Sequence, residues 1–183
     1  MQQILLRYLT LDDLEGYQKW KAPHHTYHQL NGPYYSKPSL DEIQQLIDRL
    51  RVILQTPTDD PTPGRMLISN PQNELLGEVN WYWKSQETNW LEVGLLLFDE
   101  ANWGKGIGSQ ALPLWIDHVF QSKPELVRIG LSTWSGNTGM IRLAEKLQLK
   151  KEAEYRKARI VNNEYFDSIS YGLLREEWER LRS

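Results

Sequence analysis

The run Trp90-Leu91-Glu92-Val93-Gly94-Leu95-Leu96-Leu97-Phe98 is an apolar β-type segment with one carboxylate set into it. Glu92 stands two residues before Gly94, a glycine of the kind that marks a bulge in a strand. It is either the solvent-facing member of an alternating strand or a buried acid placed for chemistry. Shortly after comes Trp103-Gly104-Lys105-Gly106-Ile107-Gly108-Ser109, with three alternate glycines leading into a helix. Glycines let backbone N–H groups approach a ligand without a side chain in the way. A helix N-terminus adds its positive end, so the segment could cradle an anion such as phosphate. The competing reading is a tight turn that only closes a strand-helix junction.

Two familiar phosphate loops do not fit. No Gly-x-x-x-x-Gly-Lys-Ser/Thr string occurs. A dinucleotide fingerprint needs its glycines directly after a first parallel strand. Here five residues separate Phe98 from Gly104, and the strand before them is the second arm of a predicted hairpin. His24, His25 and His28 lie close together, and His24/His28 have i,i+4 spacing. Zinc needs a third and usually a fourth ligand. Cysteine is absent and Pro23 breaks the helix, so the histidines read as a polar loop and no metal is expected. The absence of cysteine also excludes disulfides and a thiolate nucleophile.

These residues need a scaffold. The chain has 183 residues, 40% of them apolar and 25% charged, the profile of one globular domain spanning 1–183. Net charge is −3, which disfavours a nucleic-acid partner. No apolar run approaches the ~20 residues that span a bilayer, and the start lacks the pattern of a secretory signal. The expectation is a cytoplasmic protein without a membrane partner. Eight tryptophans exceed what a core of this size needs, so some are expected in a groove.

A strand is predicted over 4–9, then a helix capped by Thr10 and stopped by Pro23. Residues 24–38 read as an irregular loop or short helix. Ser39 and Glu42 form a capping box for a helix with the stripe Ile43, Leu46, Ile47, Leu50 and Leu54. The proline-rich stretch 56–64 reads as a mobile connector. Strands follow over 65–69, 75–83 and 90–98, the last two as a hairpin. A helix over 106–122, a strand over 126–134, a helix over 138–147 and a closing strand pair over 150–160 and 165–174 complete the order. Pro113 should kink the third helix or mark its start. The class is α/β (α+β), with a mixed sheet and helices on both faces.

Four segments, in order, resemble the GNAT superfamily of acetyl-CoA-dependent N-acetyltransferases, and within it the RimJ/RimL-like subgroup that acetylates ribosomal-protein N-termini. The first is Leu6-Arg7-Tyr8-Leu9-Thr10-Leu11-Asp12-Asp13. The second is Trp103-Gly104-Lys105-Gly106-Ile107-Gly108, similar to the family's Gln/Arg-x-x-Gly-x-Gly/Ala motif. The third is the run from Asn137 to Leu147, similar to Asn-x-x-Ser-x-x-x-x-Glu-Lys-Leu, and the fourth runs from Tyr165 through Trp178 as a terminal strand. The resemblance implies a single-domain fold with a mixed central sheet of about seven strands, splayed at the CoA site, and about four flanking helices.

It also implies roles. Gly104, Gly106, Ile107, Gly108 and Ser109 would hold the CoA pyrophosphate by their backbone, with Trp103 and Lys105 beside them. Leu96, Leu97 and Phe98 would pair their main chain with the pantetheine amides, and Asn137 would contact the CoA arm. The acceptor amine must attack as free base, although an ordinary amine has a pKa near ~10. The thioester oxygen needs a donor, for which a backbone N–H near Leu96 is the candidate. Glu92 is the candidate base. Tyr34, Tyr35 and Trp81 are candidates for the acceptor groove. Several family positions differ here. Ser132 stands for a glutamate, Ala144 for the tyrosine general acid, Met140 for a serine and Gln148 for a glycine. Thiolate protonation then falls to water or to a tyrosine such as Tyr171. The expected activity is direct acetyl transfer from acetyl-CoA to a primary amine, a protein N-terminus or a small amine, by a monomer or homodimer. A non-catalytic acyl-CoA-binding sensor or scaffold is the alternative.

Overall fold

The computed structural model describes residues 3–56 and 64–182. Most of the connector expected over 56–64 lies outside the described residues. The strands are β1 (Leu5–Arg7), β2 (Arg65–Ser69), β3 (Leu75–Ser85), β4 (Trp90–Leu97), β5 (Arg128–Trp134), β6 (Lys150–Val161) and β7 (Glu164–Leu174). The helices are α1 (Leu14–Lys21), α2 (Leu40–Leu54), α3 (Ile107–Ser122), α4 (Thr138–Lys146) and α5 (Arg175–Arg182). The seven strands form one mixed sheet in the order β1-β2-β3-β4-β5-β7-β6. β4 and β5 run parallel and register at Glu92↔Gly130. The other registered pairs are antiparallel.

Two compact units divide the chain, one of residues 1–80 with 95–107, the other of 81–94 with 108–183. In the first, Leu9, Leu14, Tyr17, Tyr27, Ile43, Ile47, Leu50, Leu67 and Phe98 form one buried cluster. The predicted stripe of α2 thus faces a core, and Ser39 and Glu42 cap the helix reciprocally. Thr10 opens a short 3-10 turn, Leu11–Asp13, rather than α1 itself. The Asp13 carboxylate accepts from Thr10 N–H and from both terminal nitrogens of Arg7. Burial opposes its ionisation, but these bonds from Arg7 and Thr10 hold it below the usual carboxylate range. After Pro23, His25 and His28 turn their Nε2 atoms onto Lys19 O and Ala22 O. The histidines therefore act on backbone carbonyls around the C-terminal end of α1. Burial pushes the His28 imidazole down, which favours the neutral ring.

A second feature of this unit was not expected. Glu78, in the apolar run of β3, is buried. Its carboxylate accepts from Tyr17 Oη at 2.6 Å and from Lys21 Nζ at 2.6 Å, with Arg65 Nε at 3.7 Å. Burial opposes its charge, but Lys21 and Arg65 hold it below the carboxylate range. Burial pulls Lys21 down, and Glu78 opposes that pull.

In the second unit, Ala111, Leu112, Trp115, Ile116, Val119 and Phe120 of α3 are buried, as are Ile129 and Leu131 of β5 and Ile169, Tyr171 and Leu173 of β7. α3 runs unbroken through Pro113, its seventh residue, so the proline neither opens it nor ends it. β6 and β7 turn through Asn162 and Asn163, both at positive φ, as a two-residue hairpin of the primed type requires. The terminal segment read as strand continues into α5. Arg175 begins this helix by donating to the carbonyls of Phe120, Lys123 and Leu126, and Trp178 Nε1 donates to Asp117 of α3. Among the described residues the α-helices number five, in keeping with the expected mixed sheet flanked by helices.

Replacing Lys21 with Met should leave Glu78 with a lost ion pair in a buried setting. A loss of about 3–5 kcal/mol is expected in denaturant unfolding. Lys21→Met combined with Glu78→Gln should recover much of it, because the uncompensated charge is gone.

Candidate active site

The glycine loop has the backbone its sequence implies. Gly104 and Gly106 sit at φ +72° and +82°, where a Cβ is disfavoured. A Cβ at Gly104 would meet nothing within 4 Å, so open space lies above it. α3 begins at Ile107, whose side chain is buried, which leaves its main chain for any ligand. Lys105 is exposed. Trp103 packs against the first unit's core and its Nε1 donates to Leu97 O at 3.4 Å. Its indole ties the loop back to the end of β4. In the second unit Ser109 Oγ accepts from Lys146 Nζ at 3.2 Å. Lys146 thus brings an ammonium to the first turn of α3, a contribution the sequence reading missed. The pattern could have shown it, since Lys146 sits in the Glu-Lys-Leu string already singled out.

β4 presents main chain rather than side chain at its end. Phe98 is buried among Tyr17, Trp20 and Tyr27, and its N–H donates to Leu76 O of β3 at 3.0 Å. Successive N–H groups along a strand alternate in direction. The Leu97 N–H therefore points away from β3. The carbonyl of the same peptide, Leu96 O, lies 2.1 Å from where a Cβ on Gly77 would stand. Carbonyl and N–H of one planar trans peptide point in opposite directions. Gly77 thus gives the Leu96 carbonyl room on the β3 side and, through it, aims the Leu97 N–H.

Glu92 is buried at 2% exposure, so simple alternation onto a solvent face is not its setting. Its Oε1 accepts from Ser132 Oγ at 2.8 Å, and its Oε2 accepts a short bond from Tyr82 Oη. Lys84 Nζ lies 3.7 Å from Oε1. A Cβ at Gly130, the β5 partner of Glu92, would come within 3.0 Å of Glu92 Cγ. The carboxylate side chain thus lies close over a residue that has none. Ser132, noted as a departure from the family, supplies one of its hydrogen bonds. The signal for Tyr82 was the period-two pattern of β3. Tyr82 and Lys84 reach Glu92, whereas Trp81 and Trp83 turn to the other face, beneath Lys123 Nζ at 4.5 and 5.5 Å from their ring centres. Trp81 is therefore not brought to Glu92.

Tyr171 also faces away. It registers with Leu131 while Ser170 registers with Ser132, so Tyr171 points to the opposite face from Ser132 and Glu92. Burial, with Glu145 next, pushes its phenol up, which opposes ionisation but supplies no proton to the Glu92 face. Asn137 caps α4, its Oδ1 accepting from Met140 N at 3.1 Å. Tyr34 and Tyr35 meet edge-on in the first unit, with Tyr35 exposed. Among the described residues no cluster of three or more His, Cys, Asp or Glu could hold a metal, and no helix is long and apolar enough to cross a membrane.

Residues 3–150 match the acetyltransferase (GNAT) domain, and the chain belongs to that family. It is an acyltransferase, and acetyl-CoA is the donor its family implies. An uncharacterized N-acetyltransferase p20 of Bacillus licheniformis is 25% identical over 178 residues, covering 97% of this chain and 96% of that protein. The fold is shared with spermidine N-acetyltransferase from Vibrio cholerae, solved with CoA and spermine. That match has a TM-score of 0.76 at 18% identity and covers 97% and 98% of the two chains. It is shared too with RimL, the ribosomal L7/L12 alpha-N-protein acetyltransferase, solved with CoA, with a TM-score of 0.70 at 19% identity over 95% of each chain.

Gly77→Ala should displace the Leu96–Leu97 peptide, because the obstructing atom is backbone and cannot rotate aside. A stability loss of about 1–3 kcal/mol is expected in denaturant melts. Amide chemical shifts should move at Leu96 and Leu97 rather than across β2.

Proposed function

We propose that residues 1–183 act as one N-acetyltransferase domain that moves an acetyl group from acetyl-CoA to a primary amine by direct transfer in a ternary complex. The observation that carries this reading is the buried Glu92 carboxylate, accepting from Tyr82 and Ser132 on the strand that leads toward the glycine loop. Acetyl-CoA supplies the acetyl group as an activated thioester. The backbone of Gly104, Gly106, Ile107, Gly108 and Ser109 would hold its pyrophosphate, with Lys105 and Lys146 adding positive charge. The main chain of Leu96, Leu97 and Phe98 would pair with the pantetheine amides. The Leu97 N–H is the donor aimed to stabilise developing charge on the thioester oxygen. Asn137, at the head of α4, would reach the CoA arm. Glu92 would take the proton that an ammonium must lose before it attacks. No cysteine exists to carry an acyl group.

The acceptor reading is a cationic primary amine, with a peptide N-terminus slightly ahead of a small polyamine. Net charge of −3 attracts either. The solved neighbours include a spermidine N-acetyltransferase and a ribosomal L7/L12 alpha-N-protein acetyltransferase. Tyr34 and Tyr35, a pair of adjacent rings with Tyr35 exposed, suit a peptide backbone or polyamine methylenes. Trp81, the third groove candidate, would offer a ring on the face opposite Glu92, beneath Lys123. The enzyme would work in the cytoplasm as a monomer or homodimer, without a metal, a nucleic acid or a membrane.

Acetyl-CoA at about 100 times its Kd should stabilise the protein by about 2.7 kcal/mol, a rise in Tm of roughly 5–11 °C. Gly106→Glu should abolish the rise while leaving the unliganded Tm within a few degrees, since it sets a carboxylate in the anion cradle. A folded Gly106→Glu variant with an undiminished response would remove the loop from CoA binding.

Free-thiol release should be measured with short peptides of varied first residue, with spermidine and with an aminoglycoside. Peptides are expected to show the highest kcat/KM. Small amines turning over with peptides inert would overturn the peptide assignment. Binding without thiol release from any amine would make the chain a non-catalytic acyl-CoA module.

A further inference from the structure

An amine that reaches the site as an ammonium must pass its proton to Glu92, yet that carboxylate is only 2% exposed. Tyr82 is 48% exposed, and its hydroxyl donates to Glu92 Oε2. One atom, Tyr82 Oη, therefore touches the buried acid while its residue reaches the surface. We propose that Tyr82 is a catalytic residue that relays the proton of the acceptor ammonium to Glu92. This rests on the reading of Glu92 as the base.

The chemistry of the two hydroxyls at Glu92 favours the phenol. A phenol's ordinary pKa, near ~10, lies close to that of an alkylammonium, whereas an alcohol's lies far above it. Ser132 Oγ, the donor to Oε1, also lies 3.4 Å from Ser170 Oγ, so its geometry is shared between the two. Three further cations share this face, and Lys150 of β6 among them is paired with Glu177. Lys84 from β3 lies 3.7 Å from Oε1 and sets a positive charge on the side away from Tyr82's bond. Arg128 of β5 is paired with Glu152 of β6 and lies over the ring of Trp90.

The step balances. Tyr82 Oη takes one proton from the ammonium nitrogen as its own passes to Glu92 Oε2, so the phenol ends neutral and Glu92 protonated. The freed lone pair forms the N–C bond to the acetyl carbon while the C–S bond breaks. The second proton lost by nitrogen goes to the departing sulfur. Glu92 then returns its proton to water through the same hydroxyl.

The test is Tyr82→Phe beside Glu92→Gln and Ser132→Ala, each read as kcat/KM against pH. The probes are spermidine and a tripeptide with a free amino terminus. Acetyl-CoA should still raise the Tm of Tyr82→Phe as in wild type, which establishes that the variant is folded and binds. Its kcat/KM should fall about 10- to 100-fold at about pH 6.5 and approach wild type above about pH 9, where free amine no longer needs the relay. An α-amine has a pKa near ~8 and an alkylamine near ~10. The deficit should therefore close at lower pH for the tripeptide than for spermidine. Ser132→Ala should lack this pH-dependent recovery. A deficit that is uniform across pH, or no deficit, would overturn the relay while Glu92→Gln still shows a pH-dependent loss. A wild-type profile for Glu92→Gln would instead overturn the reading of Glu92 as base.

Discussion

An ionised carboxylate set into a β-sheet has to be compensated where it stands. This chain meets that demand twice, once in each compact unit, and in two different ways. Glu78 of β3 is surrounded by cations and a phenol, with Lys21, Arg65 and Tyr17 converging on it from α1 and β2. Such a group is spoken for. Its partners pull α1 onto the strand, and nothing in the arrangement asks for a change of protonation. Glu92 of β4 has hydroxyl donors instead, and its nearest cation stands off at 3.7 Å. Hydroxyls can donate or accept, whereas an ammonium or guanidinium can only donate. The same residue type is thus held by cations and a phenol in one unit and by two hydroxyls in the other.

The second recurring constraint is the absence of side chains where backbone must come close. Gly77 admits the Leu96 carbonyl, and Gly130 lies beneath Glu92. Gly172, the β7 partner of Gly130, lies beneath the Glu152 carboxyl carbon, only 2.2 Å from where a Cβ would be. Each of these glycines frees space for a peptide or a carboxylate rather than for a turn. Gly104 and Gly106 act differently, through positive φ. Trp103 then fastens that loop to β4 through Leu97 O, so the strand end and the loop are one mechanical piece within the first unit. Two kinds of glycine therefore serve one end, which is to offer main-chain groups in defined directions.

Much of this was legible in the residues. Ser39 with Glu42 gave the start of α2, and its apolar stripe gave the buried face, because capping and period are local. Glu92 stood out because it broke an apolar run. Glu78 breaks another such run, but its neighbour Gly77 and the polar Asn80 blurred the contrast, and its cations come from 57 and 13 residues away. α5 was hidden because Arg175–Arg182 is almost wholly charged, with Trp178 as its one buried residue and Arg175 anchored on distant carbonyls. In the run Trp81, Tyr82 and Trp83, strand alternation puts Tyr82 on the opposite face from the two indoles. Of the eight tryptophans, Trp115, Trp134 and Trp178 fill cores, so the high count reflects packing as well as any groove.

The departures from the family pattern gain a physical sense from this arrangement. A tyrosine on α4 could serve as an acid only if its position opened to the reacting groups. Here that position is Ala144, fully buried, with its carbonyl accepting from Leu149 N–H. A phenol there would have to displace core, so the loss of tyrosine is not a vacancy waiting to be filled. Hydroxyls appear instead on the sheet face that carries Glu92, from Tyr82, Ser132 and Ser170. A second carboxylate at Ser132 would set two like charges side by side at Glu92. With a donor hydroxyl at Ser132, a single buried carboxylate remains on this face, held by Tyr82 and Ser132.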